Sequence, residues 1–575
     1  MALSRLRRRF IALSTLFVLV FGCARPAPPP HASPLKLIVL VVFDQMRADY
    51  LTRWQDQFGE GGFRKVCNQG TWFTNCNYPY ACTVTGPGHA SLATGCSPNR
   101  HGIIGNEWYE RPIGKVVSCS STNRQRPVRT VPRPPLKPDE RGETQGASPE
   151  RLLAPTFADA LKESGAGKVV ALSLKDRAAC LPGGKNPDAC YWFDTLTGSF
   201  ATSTYYRDRC HDWVAVFNSK NPANRWFGQA WNRLRSDLDY VTLAGPDEVM
   251  AESPDFDRKL GRRSFPHSFV LKSNSPDREY YGQLCGTPFA NDLLLDFAKT
   301  SIRAMGLGQG ATTDFLSVSF SSNDSIGHTF GPDSQEVFDV TLRSDAIVAD
   351  LIAFLDAQIG RDKYLLAISA DHGVCPFPEI STAKGLDARR VSGKVMSDAI
   401  DDYMNQRFAK RGESLEWIEN MNFPWVYLNE RLLASRKLYI DIVAEDLSAH
   451  LRRQPWAGEV YPRSQLEHGR GPADRYLPTV RKSFHPGRSG DLFIVLKPFY
   501  LPASETTGTT HGSPYEYDTH VPLLFFGRDV QGGRFDEAVT PQAIAAVFAH
   551  AAGIAPPALL DASIPSAIQA NARRD

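Results

Sequence analysis

The sequence predicts a doubly wound α/β fold: a mostly parallel sheet flanked by helices and interrupted by inserted subdomains. Three observations predict it. Short apolar runs recur along the chain, and such runs mark strands buried on both faces. Helical patterns lie between some of them, and alternation of strand and helix favours a parallel sheet. The chain has 575 residues, 42% of them hydrophobic, which is ample for a large core with long excursions.

The expected strands are Leu35–Phe43, Val169–Leu174, Phe315–Phe320, Tyr364–Ser369, Leu492–Leu496 and Leu523–Phe526, each read as a buried parallel strand. Val337–Leu355 reads as a helix, with Val340, Ile347, Leu351 and Leu355 on one stripe. Pro541–Ala551 reads as another, opening on proline in its first turn. The folded domain is expected over residues 36–575, with insertions at about 112–155, 180–288 and 383–486. The first is rich in Pro, Arg and Ser. The second carries Trp192, Trp213, Trp226 and Trp231. Connections this long in a compact domain are usually functional or form a small unit of their own.

The N-terminus reads as an export signal over residues 1–23. Arg5, Arg7, Arg8 and Arg9 precede an apolar run, Ile11–Phe21, too short to span a bilayer comfortably. Val20-Phe21-Gly22-Cys23 is close to a lipobox, so Cys23 is a candidate lipidated residue; an ordinary cleaved signal is the alternative. Residues 24–35, rich in Pro and Ala, read as an extended tether. Of 11 cysteines, 10 remain without Cys23, and an oxidising compartment permits disulfides. Cys180 and Cys190 flank Pro182-Gly183-Gly184 and are the favoured pair. The net charge is only +3, which gives nucleic-acid binding little support.

In open α/β sheets ligands bind beyond the carboxyl ends of the strands. The first run ends at Asp44. The run at 315–320 leads to Asp324 and His328, and the run at 364–369 leads to Asp371 and His372. His511, in Thr-Thr-His-Gly, and His520 precede the run at 523–526. Each alone is more simply a cap or a surface turn. Together they are a set of carboxylate and imidazole ligands suited to Zn²⁺. Two metals roughly 4 Å apart could stabilise both oxygens of an in-line displacement. Thr85 stands in a Gly- and Pro-containing loop before a short helical stretch, where an anion is favoured. It could serve as a nucleophile or simply cap that helix.

Asp44, the TGPGHAS segment, Asn106 in Gly-Asn-Glu-Trp, D-x-x-x-H, ADHG and THG occur in this order. From about residue 36 to about 530 the chain resembles the alkaline phosphatase superfamily, and within it the secreted bacterial phosphatases with a threonine nucleophile, the PafA-like branch. The resemblance implies two zinc ions. Asp324, His328 and His511 would hold one; Asp44, Asp371, His372 and the Thr85 oxygen would hold the other. Thr85 would be phosphorylated and then released by hydrolysis. Asn106 would donate a hydrogen bond to a non-bridging phosphate oxygen. His520 is expected to stand behind the ligands rather than among them.

Lys175 and Arg177 follow the run at 169–174 and, in an extended segment, point the same way. Two cations can neutralise a dianionic monoester, with more to gain than on a diester. In the threonine branch a Lys and an Arg at this spacing contact the phosphoryl group. The expected activity is therefore that of an alkaline phosphatase acting on small phosphate monoesters, exported to the periplasm or held on the outer membrane of a bacterium by a lipid at Cys23. A phosphodiesterase or nucleotide pyrophosphatase, with the tryptophan-rich insertion stacking a base, is the alternative; a non-catalytic binding protein is a remote one. Sulfatases attack through Cys or Ser in C/S-x-P-x-R, which Thr85-Gly-Pro-Gly-His does not match.

Overall fold

The computed structural model describes residues 35–132, 145–254, 263–269, 272–469, 474–503 and 506–569. The expected signal, Cys23 and nearly all of the tether lie outside the described residues. Nine strands build the main sheet: β1 (Leu37–Phe43), β2 (Thr71–Cys76), β3 (Val169–Ser173), β4 (Ala189–Asp194), β5 (Ser199–Ser203), β6 (Asp314–Phe320), β7 (Tyr364–Ser369), β8 (Leu523–Gly527) and β9 (Gly533–Val539). Their order is β9-β2-β8-β7-β1-β6-β3-β4-β5, with the short Pro127–Val128 as a tenth strand beyond β5.

The five central strands from β7 to β4 are parallel. They are largely apolar runs, buried at every position of β1, β6, β3 and β7. Such runs need cover on both faces. Phe315 and Phe320 alternate to opposite faces of β6. On one face Phe315 meets Phe157 and Phe548, the latter from the helix Ala543–Ala552. On the other, Phe320 stacks on Phe43, which meets Phe63 of the helix Phe63–Gln69. The predicted long helix spans Gln335–Gln358, capped by the Ser334 hydroxyl accepting from the Val337 amide at 3.1 Å.

Two expected strands differ from their reading. β8 runs antiparallel to both neighbours, β7 and β2. Leu492–Leu496 belongs to a separate four-stranded antiparallel sheet, between Trp425–Leu428 and Ala457–Pro462, with Ile418–Asn422 at its edge. A short apolar run carries no direction, so its partners decide both cases. Within the span 180–288, β4 and β5 are strands of the main sheet. Its tryptophans are packing residues. Trp231 is buried and donates to Asp339 at 2.7 Å, Trp226 stacks on Phe289, Trp213 packs on Phe297, and Trp192 lies against the Cys180–Cys190 cluster.

The expected Cys180–Cys190 disulfide is not formed; all ten cysteines among the described residues are free thiols. Pro182 and Gly183 do not form a loop. They end the helix Asp176–Gly183, which carries Cys180 into the core as a neighbour of Cys190 and Tyr206.

Candidate functional site

Register levels the ends of the central strands. Phe43 pairs with Phe320, Ser319 with Ser173, and Val42 with Ser369. The residues that follow each strand therefore leave the sheet along one edge. The antiparallel β8 enters at that edge, since its first residue, Leu523, pairs with Ser369. This is why a segment that precedes its strand, with His511, meets segments that follow theirs.

The candidate ligands converge on two groups. Oδ1 of Asp324 lies 3.2 Å from Nε2 of His328 and 3.5 Å from Nε2 of His511. Nε2 of His372 lies 3.4 Å from Oδ1 of Asp44, 3.5 Å from Oδ2 of Asp371 and 3.5 Å from Oγ1 of Thr85. A tetrahedral zinc with bonds of about 2.0–2.1 Å has ligand–ligand edges of about 3.3–3.4 Å, so both groups have the right size. Asp44 Oδ1 is buried with no hydrogen-bond partner, and the buried Asp371 Oδ2 faces imidazole nitrogens of His89 at 3.1 Å and His372 at 3.5 Å. A buried anionic oxygen left without a partner is costly unless a cation meets it.

Three of the imidazoles are oriented alike. Nδ1 of His328 donates to the Thr509 carbonyl at 2.7 Å, Nδ1 of His511 to Thr83 at 2.8 Å, and Nδ1 of His372 to Gly373 at 2.9 Å. With Nδ1 protonated, each imidazole in its neutral form presents the Nε2 lone pair to its group. Burial, then the nearby His372, pushes the His511 pKa down to about 3, which favours its neutral, metal-binding form. At Asp44, burial and the Asp371 carboxylate raise the pKa. Burial also disfavours charge on His372, but Asp371 and Asp44 outweigh it and hold that pKa at about 9. Asp44, Asp324 and Asp371 thus form an acidic cluster. Its nearest fixed cation is Lys175, with Nζ 2.8 Å from Asp44 and 2.6 Å from Asp324.

Thr85 is the first residue of the buried helix Thr85–Thr94, whose N-cap is Val84, and its hydroxyl turns to Nε2 of His372 at 3.5 Å. Gly88, one turn on, lets the helix approach Asp371; a Cβ there would stand 2.3 Å from the Asp371 carbonyl oxygen. The amide of Asn106 accepts from the Gly86 N–H through Oδ1 at 2.7 Å, leaving Nδ2 to donate elsewhere. Lys175 and Arg177 stand at a strand-to-helix turn, not in an extended segment, because the helix begins at Asp176. They therefore diverge. Lys175 bridges two carboxylates, whereas Arg177 lines a cleft of about 380 Å³ with Asn106 and His511. Among the described residues Arg177 forms no ion pair, and its buried Nε has no partner.

His520 lies apart from the seven candidate ligands; its Nε2 is 2.9 Å from the Thr74 carbonyl oxygen. Sequence reasoning missed two residues. Gln45 adopts a left-handed backbone (φ 66°), donates through its side chain to Asp324 Oδ1 at 2.7 Å, and donates its backbone N–H to Asp371 Oδ1 at 3.1 Å. Its adjacency to Asp44 was the available signal. His89 is within 3.1 Å of Asp371 Oδ2, 3.0 Å of the Thr85 carbonyl oxygen and 2.7 Å of Ser319. Its place one turn after Thr85 could have flagged it.

Residues 38–520 match the type I phosphodiesterase / nucleotide pyrophosphatase family. The chain is 34% identical over 529 residues to alkaline phosphatase PafA of Elizabethkingia meningoseptica, covering 91% of this chain and 92% of that one. It is 33% identical to alkaline phosphatase PhoV of Synechococcus elongatus, covering 88% of each. The crystal structure of wild-type PafA superposes with a TM-score of 0.82 at 32% identity, covering 94% of this chain and 99% of that one.

Proposed function

Because the chain belongs to the type I phosphodiesterase / nucleotide pyrophosphatase family and matches alkaline phosphatases over most of its length, we propose that it is a phosphate monoester hydrolase, an alkaline phosphatase, with Thr85 as nucleophile. Asp324, His328 and His511 would hold one zinc ion, and Asp44, Asp371, His372 and Thr85 the other. When bound, the two ions would supply Lewis-acid charge at the attacking and departing oxygens. Thr85 Oγ1 attacks phosphorus, the Thr85–phosphorus bond forms, and the ester oxygen leaves as the alcohol with a proton. Water then attacks the phosphothreonine, returning Thr85 and releasing inorganic phosphate. Asn106 Nδ2 and the Arg177 guanidinium donate to non-bridging oxygens and hold the phosphoryl group for in-line attack.

The observation that carries this reading is the unpaired Arg177 in the cleft that Asn106 and His511 also line. A guanidinium there without an ion-pair partner favours the more highly charged monoester over a diester. The test compares rates on p-nitrophenyl phosphate and bis-p-nitrophenyl phosphate, with metal analysis of the same preparation. A monoester preference, two zinc ions per chain and inactivation by a chelator are expected. A diester preference would replace this reading with a phosphodiesterase.

We further propose that residues 1–23 direct export and that Cys23 carries a lipid. No helix among the described residues is long and apolar enough to cross a membrane. A fatty-acid label should appear on the wild-type chain and vanish with Cys23→Ser; an unlabelled wild-type chain refutes the anchor.

A further inference from the structure

The cleft that holds Arg177 is larger than a phosphoryl group requires. Its volume of about 380 Å³ lies in the range of pockets that hold whole small molecules. Asn106, Glu107, Ser118, Arg177, Asn422 and His511 give it polar groups. Phe423, Pro424 and Trp425 form its apolar part, and they come from the separate antiparallel sheet.

Phe423 and Pro424 are the two residues connecting the strands Ile418–Asn422 and Trp425–Leu428, so the cleft is lined by a hairpin tip. The tip is tied to the segment that carries Asn106. Asn422 Nδ2 donates to the Glu107 carbonyl at 2.8 Å, and Tyr109 Oη donates to Glu419 at 2.9 Å. Behind it Trp425 is wedged against Phe493 and Phe484. Phe423 is only half-buried, and its ring meets no other aromatic ring among the described residues. Phe423 packs in part against the core of the antiparallel sheet and also lines the cleft with Asn106 and Arg177, so its half-open side is available to a bound molecule.

We propose that the Phe423-Pro424 tip is the leaving-group subsite and that it selects aryl phosphates, stacking the departing ring against Phe423. This inference rests on the monoesterase reading above. An offset or edge-on ring pair adds attraction beyond simple burial. It acts on the alcohol part of the ester and leaves the phosphoryl contacts to Asn106 and Arg177. Phe423 is thus a specificity-determining residue.

The test uses non-hydrolysed probes, so binding is read without turnover. Calorimetric affinities of the zinc-loaded protein are measured for inorganic phosphate, methylphosphonate and phenylphosphonate. Wild type should prefer phenylphosphonate over methylphosphonate, and Phe423→Ala should weaken phenylphosphonate alone, by roughly three- to tenfold. Phe423→Leu keeps apolar bulk without the ring and serves if the alanine variant fails to fold; it should show most of the same loss. Equal affinities for the two phosphonates in wild type, or equal losses on all three probes, would overturn the subsite. Failure of the monoesterase reading is separate: it appears as a diester preference in the rate comparison, whatever the phosphonate affinities.

Discussion

The side-chain amide of Gln45 donates to Oδ1 of Asp324 across 2.7 Å. The same residue gives its backbone N–H to Asp371, so one side chain and one peptide link carboxylates proposed to hold different metals. Residues that orient ligands in this way typically contribute about 10- to 100-fold to metal affinity. Gln45→Ala should lower zinc affinity by that order, read by competition with a chromogenic chelator. Gly327→Ala tests the same contact from the other side, because a Cβ at Gly327 would stand 1.8 Å from Gln45 Oε1 and must displace it. If both variants retain full zinc affinity, the link is not a support for the metals.

Thr85→Ala should reduce monoester turnover by about a thousandfold or more, with zinc content measured alongside because the removed oxygen is also a proposed ligand of the second ion. Thr85→Ser keeps that oxygen and should retain much of the rate. Trapping ³²P on the wild-type chain at low pH, and its loss in the alanine variant, would identify the phosphorylated residue. An active Thr85→Ala enzyme refutes the nucleophile.

Lys175 and Arg177 should separate under mutation because they face different groups. Arg177→Ala is expected to cost roughly 3 kcal/mol in transition-state stabilisation on a monoester and much less on a diester, with zinc affinity little changed. Lys175→Ala should also alter zinc affinity, since its Nζ pairs with Asp44 and Asp324. Rate and metal titrations on both variants check this; identical profiles for the two would contradict the divergence.

A fourth prediction concerns stability. Burial, and next the adjacent Glu336 carboxyl, raise the Glu252 pKa from 4.5 to about 9. Between those values the folded chain holds a proton that the unfolded chain has released. The native state therefore binds more protons, and this group's contribution to stability falls as pH rises through the window. Glu252→Gln removes the titration. Its thermal midpoint should exceed that of wild type at about pH 8.5, with the gap closing by about pH 5. A gap independent of pH would place the effect elsewhere.

Much of the site was legible because strand termini announce themselves. Asp44, Asp371 and the Asp324–His328 pair each follow an apolar run closely, and parallel strands must all present that end together. His511 was legible only as a motif, since its arrival at the same edge depends on β8 running backwards, and no apolar run encodes its own direction. The antiparallel company of Leu492–Leu496 was hidden for the same reason. Lys175 and Arg177 were found, but their shared orientation was not, because the helix starts one residue earlier than an extended reading allows. The pairing of Cys180 with Cys190 rested on a loop that is in fact a helix end. Phe423 had no signal at all: nothing local says that a hairpin in an insertion reaches a cleft built by Asn106 and Arg177.

The reversed β8 also bears on how the molecule is made. The ring of His511 is fixed by the carbonyl of Thr83, 428 positions earlier in the chain. Closing so long a loop is costly in chain entropy and comes after local structure has formed. The proposed ligand set is therefore completed only once nearly the whole polypeptide has emerged and β8 has slotted between β2 and β7. An export machine that threads an extended chain would hand over a protein with no finished cation site. Zinc would then be acquired after translocation, from whatever pool the destination compartment offers.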